Sequence, residues 1–215
     1  MKNKLVTMEE AVSHVKDGMT VLIGGFLGVG TPEKIIDALI EKGVKNLIVI
    51  GNDTGYPDRG IGKLIVNNQV KKVITSHIGT NPETGRQMNN GEIEVELVPQ
   101  GTLIERIRCG GNGLGGFLTM TGVGTLIEEE KELFTIDGKT YILEKPLKAD
   151  IALLNGSIVD ELGNIFYAGT TRNFNPVMAT AADMVIVFAE NLVKTGEIDP
   201  DCVVTSRIFV DYIVK

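Results

Sequence analysis

Short apolar runs recur along this chain, each bounded by glycine, amide or proline, and most are followed by a stretch where apolar residues return every three or four positions. VLIGGF (Val21 to Phe26), NLIVIGN (Asn46 to Asn52), KKVITSH (Lys71 to His77), IEVELVPQ (Ile93 to Gln100), ADIALLN (Ala149 to Asn155) and MVIVFAE (Met184 to Glu190) read as strands by length and β-branched content. Helices are expected from about Met8 to Val15, from Thr31 to Gly43, near Gly60 to Asn68, over TLIERIRC (Thr102 to Cys109) and around Pro176 to Ala182. The second of these carries full end signals. Thr31 is the expected cap, Pro32 the first helical residue and Glu33 a partner for the positive helix end. Ile35, Ile36, Leu39 and Ile40 form the stripe, and Gly43 the stop. Strand and helix in alternation predict an α/β fold: an open, mostly parallel sheet with helices on both faces. LFTIDGKTYIL, with Asp137-Gly138 at its centre, predicts a small inserted β-hairpin. No shift in composition marks a linker, so residues 1–215 are read as one domain.

Ligands of such sheets sit beyond the carboxyl ends of the strands. Those ends carry Gly24, Gly25 and Phe26, then Asn52, Asp53 and Thr54, then Ser76 and His77, then Pro99 and Gln100. The edge is rich in glycine, amide and hydroxyl groups and poor in acids, bases and metal ligands. Gly24, Gly25, Gly28 and Gly30 match neither the dinucleotide fingerprint nor the Walker loop, and both a tight turn and a binding loop suit them. A formal G-x-G-x-x-G at Gly111, Gly113 and Gly116 follows a helix where the fingerprint requires a strand; it reads as a turned loop. His77 ends a strand, where a hydrogen-bonded structural histidine is the commoner reading than a general base. His14 lies in a helix, and Cys109 has no base assigned to it. Gln100 suits two roles equally: capping the next helix, or donating a hydrogen bond to a developing oxyanion.

Charge and cysteine content narrow the partners. With 215 residues, 43% hydrophobic, 26 glycines and a net charge of -7, the chain has material for a core and no basic cluster for nucleic acid. Cys109 and Cys202 have no CxxC spacing, no apolar run approaches a membrane span of about 18 residues, and the N-terminal stretch leads straight into a helix. A cytoplasmic protein without metal or membrane association is expected.

Asp17-Gly18 followed by MTVLIGGFLGVGTPE resembles the signature of the α subunits of family I coenzyme A transferases, with Asp17, Gly18, Gly24, Gly25, Phe26, Gly30 and Pro32 at the matching offsets. LVPQGTLIERIRCGGNG, ALLNGSIVDELGNI and ENLVKTGEIDPD extend the likeness over nearly the whole chain, while Ser206-Arg207 stands where Pro-Gly is expected. The resemblance implies transfer of CoA between carboxylic acids. A glutamate belonging to the β chain attacks acyl-CoA, an enzyme-CoA thioester forms, and a second acid takes the CoA. The Ser-Glu-Asn-Gly type motif of that glutamate does not occur here; Glu190-Asn191, after Ala189, is the nearest match. The chain is therefore expected to be half of an enzyme, inactive without a β subunit, in an α2β2 or similar assembly. CoA is a substrate, with no tightly bound cofactor. Gln100 would stabilise the oxyanion; Gly24, Gly25, Phe26, Gly28, Gly30, Asn52 and Gly113 would shape the acyl and thioester pocket. The look favours acetate, butyrate and acetoacetate, hence fatty-acid and ketone-body metabolism. The equivalent subunit of a succinyl-CoA:3-oxoacid CoA-transferase is the alternative, and a non-catalytic acyl-CoA or sugar-phosphate binding domain or a nicotinamide oxidoreductase are the rivals.

Overall fold

The computed structural model describes residues 4–129 and 131–215. Residues 1–3 of the stretch leading into the first helix lie outside the described residues. In chain order the elements are α1 (Met8–Ser13), β1 (Thr20–Ile23), α2 (Glu33–Lys42), β2 (Leu47–Ile50), α3 (Ile61–Val66), β3 (Val70–Thr75), α4 (Pro82–Asn89), β4 (Glu94–Leu97) and α5 (Gln100–Gly111). There follow β5 (Phe117–Thr119), β6 (Leu133–Ile136), β7 (Lys139–Glu144), β8 (Ala149–Gly156), β9 (Ile158–Asp160), β10 (Ile165–Phe166), α6 (Asn175–Met178), β11 (Ala182–Ala189), β12 (Leu192–Val193) and β13 (Tyr212–Val214).

A seven-stranded sheet in the order β13-β11-β8-β1-β2-β3-β4 forms the centre, and every neighbouring pair in it runs parallel. Successive residues of a strand point to opposite faces, so each strand feeds two cores. Val21 and Ile23 pack with Ile35, Ile36 and Leu39 of α2 and with Leu64 and Ile65 of α3. Leu22, between them, packs on the other side with Leu103 and Ile107 of α5 and Met178 of α6. The continuous apolar runs are the consequence of cover on both faces. Among the described residues no helix is long and apolar enough to cross a membrane. Cys109 is buried and Cys202 exposed, both as free thiols.

Several local expectations are adjusted. Helix α2 starts one residue late: Pro32 is its cap residue, and Thr31 makes no capping hydrogen bond. The buried Thr31 hydroxyl instead lies against Gly25. The helix expected around Pro176 to Ala182 is the single turn α6, because β11 already begins at Ala182. The inserted hairpin forms with Asp137 and Gly138 both at positive φ (50° and 73°), as a two-residue hairpin turn demands. It is joined by β5 into a three-stranded sheet, β5-β7-β6. This insertion is tied down by charge. Glu144, buried on β7, meets Lys131 and Arg106, and Arg106 Nη1 also donates to Glu96 on β4 at 2.8 Å. Ser206-Arg207, the departure from the family pattern, opens a one-turn 3-10 helix capped by Ser206.

Candidate functional site

Two loops at the carboxyl edge are built around one carboxylate. After β1, Phe26 and Val29 exchange backbone hydrogen bonds of 3.0 and 2.9 Å, closing a two-residue turn over Leu27 (φ 48°) and Gly28 (φ 89°). A positive φ at a leucine costs roughly 1–2 kcal/mol. It is held by Asp53, whose Oδ2 accepts from the Leu27 amide at 2.9 Å. Asp53 also accepts from the Gly55 amide (2.8 Å) and from Asn52 Nδ2 (2.8 Å), so the loop after β2 and the loop after β1 share one anchor. Asp53 is 5% exposed, with both carboxylate oxygens engaged. Arg59, later in the β2 loop, lies against Gly28 and stacks its guanidinium over Tyr56 at 5.1 Å.

The glycines of the first loop serve its internal packing. A methyl group on Gly24 would stand 1.9 Å from Asn175 Oδ1, and one on Gly25 would stand 1.9 Å from Thr31 Oγ1. Gly28 faces Arg59, and Gly30 faces Thr171 and Asn173. The loop turns Phe26 and Val29 outward, 45% and 48% exposed. Asn175 is 0% exposed. Its Oδ1 accepts from the Asn155 amide at 3.1 Å, and its Nδ2 donates to the carbonyls of Gly30 (3.0 Å) and Thr171 (2.9 Å). It stands between the ends of β1 and β8, where strand order reverses. Open α/β sheets take ligands at that crevice, and here it is filled by protein.

The open space lies two strands over. A cleft of about 540 Å³ is lined by Phe26, Leu27, Asn52, Asp53, Ser76, His77 and Gln100. Phe26 and Leu27 supply an apolar wall; the others come from the ends of β2 and β3 and the start of α5. Gln100 is exposed as the first residue of α5, and no side chain caps that helix, so its amide is not spent on capping. Asn52 is 3% exposed; its Nδ2 goes to Asp53 and its backbone carbonyl accepts from Ser76 Oγ at 2.6 Å. Gly113 is not brought here. It follows α5 at its far end, where the Leu114 amide closes the helix on the Cys109 carbonyl, and the length of α5 separates it from Gln100 by about 18 Å. Glu190 is not here either. It follows β11, which lies beyond β8 on the side of β1 away from β2 and β3, and accepts from Asn155 Nδ2 at 2.8 Å. A larger hollow beside α1 and α2 offers less chemistry: Lys42 there is already bonded to the carbonyls of Val12, Ser13 and Val15.

Sequence reasoning placed Asp53 at a strand end without giving it a role, and did not find Asn175. The available signal for Asp53 was its place two residues before Gly55 in the loop after β2, where a short carboxylate accepts from the amide two positions on.

The family model described as Coenzyme A transferase matches residues 5–215. The chain is 57% identical over 214 residues to the alpha subunit of the acetate CoA-transferase of Escherichia coli K12, covering 100% of this chain and 97% of that one. It is 59% identical over 215 residues to the alpha subunit of the acetoacetyl-CoA:acetate/butyrate CoA transferase of Clostridium acetobutylicum, covering 100% and 99%. Identity to the corresponding subunit of the succinyl-CoA:3-ketoacid coenzyme A transferase of Helicobacter pylori J99 is 46% over 214 residues, covering 99% and 92%. In fold it is similar to an acyl-CoA transferase of E. coli O157:H7 solved as a thioester complex with CoA: TM-score 0.86, 22% identity, 99% of this chain and 47% of that one. The family match from residue 5 to the last residue, on a parallel sheet of the same fold, is decisive: this chain belongs to the coenzyme A transferase family.

Proposed function

We propose that this chain is the α subunit of a short-chain acyl-CoA:carboxylate CoA-transferase and that a β subunit completes its cleft with the glutamate nucleophile. The observation that carries this reading is the state of the one carboxylate among the cleft-lining residues. Asp53 holds three N-H donors and is 5% exposed, so it is an anchor and not an attacking group. The cleft thus has an apolar wall and a free amide donor, and needs its acid from elsewhere.

The chemistry divides as follows. The partner's glutamate carboxylate adds to the acyl-CoA carbonyl, and collapse of that adduct expels CoA thiolate and leaves a mixed anhydride. The thiolate attacks the glutamyl carbonyl, releasing the acyl group as a free carboxylate and leaving a glutamyl-CoA thioester. A second carboxylate then repeats the steps in reverse. Splitting the transfer replaces one difficult step with manageable ones. Gln100 donates to the oxyanion of each tetrahedral adduct. Phe26 and Leu27 keep water from the anhydride and thioester. Coenzyme A is substrate here, not a resident cofactor. Acetate, butyrate and acetoacetate are the acids favoured, following the names of the more similar relatives; a succinyl-CoA:3-oxoacid reading rests on lower identity. The assembly is α2β2 or similar, and a cytoplasmic location accords with the two free thiols.

The test is CoA exchange between acetoacetyl-CoA and acetate or butyrate, with this chain alone and with the β chain from the same source. Exchange only in the mixture is expected. Exchange by this chain alone would require a nucleophile within it and overturn the division of labour.

A further inference from the structure

The cleft holds one polar group that neither its architecture nor the transfer steps consume. His77 stands two residues beyond the end of β3, next to the start of α5, because Thr75 of β3 pairs with Leu97 of β4. Its backbone is fixed: its carbonyl accepts from the Thr54 amide at 3.1 Å, and it pairs in parallel with Asp53. Its ring lies against Gly79, where a methyl group would come within 3.0 Å of Cε1. His77 is exposed and lines the cleft together with Gln100, and its ring nitrogens have no hydrogen-bond partner among the described residues. Of the other short-range donors, Ser76 Oγ donates to the Asn52 carbonyl, and Asn52, 3% exposed, donates from Nδ2 to Asp53.

Building on the transferase reading, we propose that His77 determines acyl specificity by hydrogen-bonding the 3-oxo oxygen of a 3-oxoacyl substrate. In such a thioester the second carbonyl is two carbons from the reacting one, and its oxygen lies a few ångströms from the oxygen that Gln100 serves. A donor at the neighbouring strand end is placed for it, and either tautomer of a neutral imidazole supplies an N-H. A saturated acyl chain offers no acceptor there and rests on Phe26 and Leu27 alone. A site that hydrogen-bonds a substrate group discriminates against the analogue lacking it.

The experiment uses the complex with its β chain and compares kcat/KM for acetoacetyl-CoA and butyryl-CoA in wild type, His77→Phe, His77→Leu and His77→Gln, with assembly checked by size exclusion. The two non-donor variants are expected to lower the acetoacetyl-to-butyryl ratio about tenfold, the scale of one hydrogen bond. His77→Gln, which keeps a donor, is expected to restore most of it. An unchanged ratio in an assembled Phe or Leu variant, or an equal loss on both substrates, would overturn the proposal while leaving the transferase reading intact. Absence of exchange by the wild-type complex would remove that reading and this proposal together.

Discussion

Gly24 and Asn175 compete for one volume: a methyl group on the glycine would lie 1.9 Å from the Asn175 Oδ1 and 2.6 Å from its Cγ. Gly24→Ala is therefore expected to displace a buried amide that binds three backbone groups, at about 1–3 kcal/mol, seen as a lower thermal midpoint. Asn175→Ala should also destabilise, by leaving the Asn155 amide and two carbonyls unmet. Because the second change removes the clash caused by the first, the double variant should be less destabilised than the sum. Strict additivity would mean that the contact is not the cause.

Asp53 should matter more to turnover than its distance from any reacting atom suggests. Asp53→Asn keeps the shape but replaces an acceptor by a donor facing a donor, and about 3 kcal/mol of charged hydrogen bonding is at stake. Faster hydrogen exchange at the Leu27 and Gly55 amides, with transfer reduced about tenfold or more in the assembled complex, is the expected result. Wild-type exchange at both amides would remove Asp53 as the anchor.

Gln100→Ala is expected to leave folding and assembly unchanged, since the residue is exposed and caps nothing. The turnover number should fall by about 10² to 10³ with little change in KM, the signature of a donor used in the transition state. Unaltered turnover in steady-state assays would take Gln100 out of the mechanism.

Glu96 gives a pH test. Burial pushes its carboxyl up, but hydrogen bonds from Arg106 and Lys72 override this and hold it below the usual carboxylate range. A depressed native value means that its contribution to stability is present above the unfolded value of about 4.3 and is lost as pH falls through the lower native one. Urea midpoints should fall between pH 5 and pH 3 in the wild type, with part of that fall missing in Glu96→Gln. Parallel profiles for the two proteins would contradict this.

Six strands of the central sheet were legible because both of its faces are covered, which turns strands into apolar runs that no helix period explains; β13, three residues long, was not. Helix α4 was not, since the residues it buries are Thr84 and Gln87 and it carries no apolar stripe. Its cap was readable: Asn81 before Pro82, with the side chain accepting from the Glu83 amide at 3.2 Å. Strands β9, β10 and β12 are two or three residues long, too short for any periodicity. Phe26, Asn52 and Gln100 line one cleft, a grouping that was readable because strand ends can be counted along a sequence. Asn175 was not, because the volume it fills belongs to Gly24, 151 positions away in the chain. Gly113, implied by the resemblance alone, follows the far end of α5 and does not line this cleft.

The pairing of β1 with β8 also bears on how the chain is made. Strands β1 to β4 add outward one after another, yet the inner edge of β1 stays open until Ile151 and its neighbours reach it. At ribosomal rates of about 5–20 residues per second, that edge waits on the order of ten seconds with nothing beside it. The nascent chain thus carries an adhesive strand edge, and the arrival of β8 ends that exposure.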